Sequence, residues 1–109
     1  MAVYSLNELK NIVAPVAARY NLKSVWVFGS YAKGTAGEDS DVDLLVDISG
    51  SEITGLMALG ALYGELETAL GKPVDLITAD SLQQPARRRF EHAFREAVEK
   101  EKVGLYAIA

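Results

Sequence analysis

The chain of 109 residues contains no cysteine and a single histidine. That excludes disulfides, thiolate metal sites and thiol catalysis, and argues against a zinc centre. It has no basic excess either: the net charge is −4, and no segment is both basic and rich in aromatics. The attraction that dominates binding to nucleic-acid backbones is missing, so stable nucleic-acid binding is not expected. No apolar run approaches membrane-spanning length, and the N-terminus lacks a basic region followed by an apolar one. The expectation is a cytoplasmic protein with no membrane partner.

What the sequence does have is a globular balance, 50% apolar and 24% charged, in a length that suits a single domain over residues 1–109. Such a domain has no room for a separate substrate domain, so an acceptor is expected to bind at its surface. Ser5 and Glu8 fit a capping box, and Leu6, Leu9, Val13, Val16 and Tyr20 follow with helical spacing. Pro15 inside this segment is expected to kink or split the helix near Val13 and Ala14, and Asn21 to end it. Strands are expected at Ser24–Phe28 (SVWVF), Asp41–Ile48 (DVDLLVDI) and Pro73–Thr78 (PVDLIT), each rich in β-branched or apolar residues. Between the last two, Ile53 to Leu70 has a helical period, with Ile53, Leu56, Gly60, Tyr63, Leu66 and Leu70 on one stripe. A final helix is expected from about Pro85 to Lys102, burying Phe90, Ala93, Phe94, Ala97 and Val98. Helices alternating with strands give an α/β class.

Two of the strands raise a chemical question. Residues two apart in a strand face the same side, so Asp41 and Asp43 project together, with Leu45 and Asp47 following, while Leu44 and Val46 face the other layer. Two carboxylates about 4 Å apart repel by roughly 4 kcal/mol at an effective dielectric near 20. A divalent cation removes that cost, and oxygen-only ligation points to Mg²⁺, with Mn²⁺ as the alternative. On Asp-x-Asp alone, solvated acids on an edge strand account for the sequence better.

Gly29-Ser30 changes the balance. A glycine between a strand and a short segment lets backbone amides approach a phosphate, and Ser30 adds a hydroxyl donor. Phosphates beside paired carboxylates suggest metal-bridged nucleoside triphosphate chemistry, which calls for a third acid. Asp47 lies about 13 Å from Asp43 along an extended strand, too far to share metals with it. Asp75, flanked by Val74, Leu76 and Ile77, is either a site residue or an exposed edge acid; the other two acids favour the site.

The string GSYAKGTAGEDSDVDLLV, with Gly29-Ser30 ten residues before Asp41-Val42-Asp43, resembles the signature of the DNA polymerase β-like nucleotidyltransferase superfamily. It is similar to the minimal nucleotidyltransferase (MNT) domains, small proteins often encoded beside a HEPN-domain toxin as its antitoxin. The resemblance covers nearly the whole chain and implies a small mixed sheet of three to four strands flanked by helices. It also implies that Gly29, Ser30 and Lys33 hold the nucleotide and that Asp41 and Asp43 bind Mg²⁺, with Asp75 completing the catalytic set as ligand or general base. Lys33 stands where the family commonly has arginine, which keeps the charge but loses the planar fork.

The activity implied is transfer of AMP from ATP to a hydroxyl, first of all a tyrosine, of a HEPN-type toxin ribonuclease. The competing functions are an antitoxin that acts by contact alone, and nucleotidyl transfer to a small molecule such as an aminoglycoside. Among other residues, the Arg87-Arg88-Arg89 run reads as a solvated face, with contact to triphosphate or an acidic partner as the alternative. His92 reads as a surface residue. The helix over residues 53–70 carries Met57, Leu59 and Leu62 beyond its main stripe, with Gly60 and Gly64 permitting close approach of another helix. Burial within the core or a homo- or hetero-oligomer interface would each account for this.

Overall fold

A computed structural model describes residues 3–82 and 89–108, without the side chains of 82 and 89–91. In it the first helix, α1 (Leu6–Arg19), opens with the expected capping box: Ser5 Oγ accepts from the Glu8 amide, and the Ser5 amide donates to Glu8 Oε1 at 2.9 Å. Pro15 does not split it; α1 runs unbroken. The reason is placement. Pro15 and Asn11 both lie on the exposed face, where water can hydrate the carbonyl that the proline leaves unpaired, while Leu9, Val13, Val16 and Ala17 are buried on either side of the break. Asn21 ends the helix in the left-handed region (φ 55°), with the Leu22 amide bonded to Ala17 O and the Asn21 amide to Ala18 O. That is a Schellman closure.

The strands are β1 (Ser24–Phe28), β2 (Val42–Asp47), β3 (Val74–Thr78) and β4 (Val103–Ala107), in sheet order β3-β2-β1-β4. β1 pairs antiparallel with β2 and β4, and β2 pairs parallel with β3, so the sheet is mixed. Strand β4 was hidden by its Gly104, which has little strand preference and packs beside Trp26 where β1 is irregular.

Two layers cover the sheet. Val25, Val27, Val42, Leu44, Val46 and Val74 pack on α1 and on α3 (Leu56–Leu70) in the main core. The opposite face holds Phe28 and Leu45 with Val98 of α5 (Arg89–Glu101), flanked by Trp26 and Ile77. Two short helices, α2 (Gly29–Lys33) and α4 (Ala79–Leu82), follow β1 and β3 directly.

The stripe expected for α3 is rotated. Its buried side chains are Leu62, Leu66 and Leu70, whereas Leu56, Gly60 and Tyr63 are exposed and Ile53 is buried ahead of the helix. Starting the helical count at Ile53 misassigned the face, because that residue is in the loop. In α5, Val98 is buried and Ala97 half-buried, but Ala93 and Phe94 are exposed, with Phe94 edge-on to Phe28 at 6.0 Å. Arg87 and Arg88, and the side chains of Arg89 and Phe90, lie outside what is described. Among the described residues no helix is long and apolar enough to cross a membrane.

Candidate active site

Strand register assembles the acids. Asp43 pairs with Phe28 on one side and with Asp75 on the other, so the carboxylate-bearing residues of β2 and β3 stand directly opposite across a parallel ladder. Adjacent strands are about 4.8 Å apart, which brings the two side chains to one spot on the face away from the main core. Asp41 lies just before β2 and is exposed; two residues from Asp43, it projects to the same side. Asp75 is exposed on the edge strand, and Asp43 is half-buried between its neighbours.

Gly29 closes the site from the end of β1. Its φ of +68° favours glycine, and a Cβ built there would stand 2.2 Å from Asp43 Oδ2. The residue before Ser30 therefore has to be glycine for two independent reasons, the turn and the carboxylate that occupies the side-chain position. Ser30, half-exposed, is the second residue of α2; its carbonyl accepts the Thr35 amide at 2.9 Å and so ties down the loop that leads to Asp41.

The electrostatics match the crowding. Burial, followed by the charges of Asp75 and Asp41, pushes the Asp43 carboxyl up to about 6. Among the described residues no set of three or more His, Asp or Glu is already arranged as a metal cage. Mg²⁺ typically takes one or two carboxylates and completes its shell with waters and substrate phosphates. The opposed Asp43 and Asp75, with the backbone of Gly29 against Asp43, suit a metal that arrives with a triphosphate.

Asp47 has a different task. It accepts the Ser49 amide at 3.0 Å where the chain turns out of β2. Burial pushes its carboxyl up, but the Ser49 bonds and the charge of Lys23 outweigh this and leave it below its ordinary value. Lys33 reaches Glu101 Oε1 of α5 at 3.3 Å, so in this structure its ammonium joins α2 to α5. His92 is exposed on α5, as expected.

Residues that the sequence did not single out support the site from below. Glu67 of α3 accepts the Val74 amide at 3.1 Å, one residue before Asp75 on the edge strand. Tyr63, one turn earlier, donates to Glu67; this bond, then burial, then the charges of Glu67, Asp75 and Asp41 raise its pKa. Lys72, 4% exposed, is the one charged side chain buried among the described residues, and its ammonium donates to the Tyr31 hydroxyl at 2.6 Å. The i, i+4 spacing of Tyr63 and Glu67, and a lysine inside the helix-to-strand turn Gly71-Lys72-Pro73, were the available signals.

Comparison with known proteins identifies the family and the fold. Residues 9–103 match the nucleotidyltransferase domain family. The protein adenylyltransferase MntA of Thermococcus cleftensis is 40% identical over 87 residues, covering 76% of this chain and 86% of that protein. The fold is shared with a chain of a toxin–antitoxin complex solved with AMP-PNP (TM-score 0.68, 23% identity, 91% of this chain and 73% of that one). It is shared also with a chain in the complex of the tri-AMPylated HEPN toxin of Shewanella oneidensis with its MNT antitoxin (TM-score 0.64, 20% identity, 94% and 73% covered).

Proposed function

The chain belongs to the nucleotidyltransferase domain family, and on that premise we propose that it is an antitoxin that transfers AMP from ATP to a tyrosine hydroxyl of a HEPN-type toxin ribonuclease. The observation that carries this reading is the register of Asp43 against Asp75 beside Gly29, with Asp41 two residues away. A relative named protein adenylyltransferase and a fold neighbour solved with a tri-AMPylated HEPN toxin support the reaction and the partner class.

Asp41, Asp43 and Asp75 would hold Mg²⁺, which when bound offsets the charge of the triphosphate and of the acids themselves. The amides at Gly29 and Ser30, with the Ser30 hydroxyl, bind the phosphates; Lys33 adds its charge if it leaves Glu101. The acceptor oxygen attacks the α-phosphorus, the bond from that phosphorus to the β-bridging oxygen breaks, and pyrophosphate leaves. Asp75, exposed on the edge strand, is open to an acceptor arriving from outside and takes the hydroxyl proton. An AMP group adds bulk and negative charge, which near a ribonuclease site repels the RNA backbone.

The outward face of α3 supports a contact role as well. Leu56 is 81% and Met57 91% exposed, and no charged residue occurs between Leu56 and Gly64. We place the toxin interface there, and a contact-only antitoxin would draw on this same face. Incubating purified toxin and antitoxin with ATP and Mg²⁺ and weighing the toxin by intact mass spectrometry separates the two. An AMP-sized gain that disappears with Asp41→Asn supports transfer; no gain, with full neutralisation by Asp41→Asn, supports contact alone.

A further inference from the structure

We propose that Lys72 and Tyr31 form a buried tether that sets the position of the phosphate-binding turn relative to the strand carrying Asp75. This rests on the ATP-dependent reading of the site given above. Tyr31 follows Ser30 directly within α2, and Lys72 lies three residues before Asp75. Both side chains are 4% exposed, and Lys72 Nζ donates to Tyr31 Oη at 2.6 Å. The ammonium is 5.2 Å from the ring centroid. That is nearly the sum of the ring-to-oxygen distance and the hydrogen bond, so the cation lies beyond the hydroxyl and not over the ring face. The tie is a directional hydrogen bond, charge-assisted, between two segments that β-ladder pairing does not join.

The segments need joining. α2 has five residues, too few to hold a helical conformation unaided, and its one buried side chain is Tyr31. β3 is an edge strand, paired on one side only. Without the tether the Gly29-Ser30 turn meets Asp43 by close contact and reaches β3 only by way of β2. Burying an ammonium is costly, and an apolar side chain of similar length would fill the same space at no such cost. A lysine here is thus better explained by geometry imposed on the site than by stability of the core. Lys72 and Tyr31 act through Gly29, Ser30 and Asp75, and are positioning residues.

Lys72→Met and Tyr31→Phe, singly and together, test the idea through melting temperature, calorimetric affinity for ATP with Mg²⁺, and amide hydrogen exchange of the nucleotide-free protein. The double variant, which replaces both members of the hydrogen bond by apolar groups of similar shape, is expected to melt closer to the wild-type temperature than Lys72→Met, which leaves the buried Tyr31 hydroxyl without its donor. The ATP affinity of Lys72→Met should fall about fivefold to tenfold, as should that of Tyr31→Phe, and the double variant should be little worse than either single one, as expected for one coupled pair. Amides of residues 29–33 should exchange faster in both variants while α1 is unchanged. Unaltered exchange at 29–33, or a lower melting temperature with unaltered ATP affinity, overturns the tether. Wild-type protein that binds no ATP overturns the reading of the site instead, and the exchange result still decides the tether.

Discussion

At the scale of single residues, Asp43 is where fold and function pull against each other. Its folded carboxyl keeps a proton up to about pH 6, whereas in the unfolded chain it loses the proton near its ordinary 3.8. The folded state therefore binds more protons between these values, and the metal-free protein is expected to lose stability as pH rises from about 4 to about 6, then to level off. The carboxyl is partly solvated, so the loss is on the order of 1 kcal/mol, well short of what the full shift would give. Asp43→Asn should abolish AMP transfer yet flatten this pH dependence, measured by denaturant unfolding in chelator; a variant less stable than wild type at pH 7 would mark the carboxylate as structural. Asp75→Asn should be nearly as damaging to transfer. Asp47→Asn should keep most activity, because Asp47 holds the Ser49 turn and stands a full 4 residues along the strand from Asp43. Gly29→Ala should fail for a steric reason, since its methyl competes with Asp43 Oδ2 for one position.

At the scale of elements, the edge strand β3 depends on α3. Truncation by Glu67→Ala takes away the acceptor of the Val74 amide and should lower the rate of transfer several-fold while leaving ATP affinity near wild type. Glu67→Gln, which still offers an oxygen to that amide, should recover most of the rate. A rate unchanged in Glu67→Ala would mean that β2 alone positions Asp75. The same dependence explains what was legible in the sequence. The Asp41–Asp43 pair, the Gly-Ser turn, three strands and the caps of α1 were readable because each rests on local spacing: a two-residue alternation, a capping box, an asparagine at a helix end. Asp75 was singled out by the other two acids and by the resemblance, and the register of β3 on β2 sets it opposite Asp43. The rotated face of α3, strand β4 and the Lys72–Tyr31 and Glu67–Val74 links were not, because each is set by partners far along the chain. Lys72 and Tyr31 are 41 residues apart, and no local periodicity connects them. The continuity of α1 through Pro15 belongs here too: the sequence contains the proline, but only packing decides that its unpaired carbonyl faces water.

At the scale of the whole molecule, the sheet separates two surfaces. The acids open at one edge of the face shared with α5, while α3 lies against the opposite face and carries its exposed Leu56 and Met57 on the outside. Tyr63 and Glu67, further along α3 than Leu56 and Met57, bring its outward side to the β3 edge beside the acid site. A partner bound along α3 would thus present its hydroxyl at Asp75 without crossing the sheet. Placing charges on that face separates docking from chemistry: Leu56→Glu with Met57→Glu should abolish complex formation with the toxin in size-exclusion chromatography, yet leave calorimetric ATP affinity unchanged. Asp41→Asn should do the reverse, forming the complex while transferring nothing. If masking alone silences the toxin, ribonuclease activity follows the first variant and ignores the second. If AMP transfer silences it, both variants leave the ribonuclease active, for different reasons that the two binding measurements distinguish. Retention of the complex by the glutamate variant would move the interface off α3 and leave the acid site as it is.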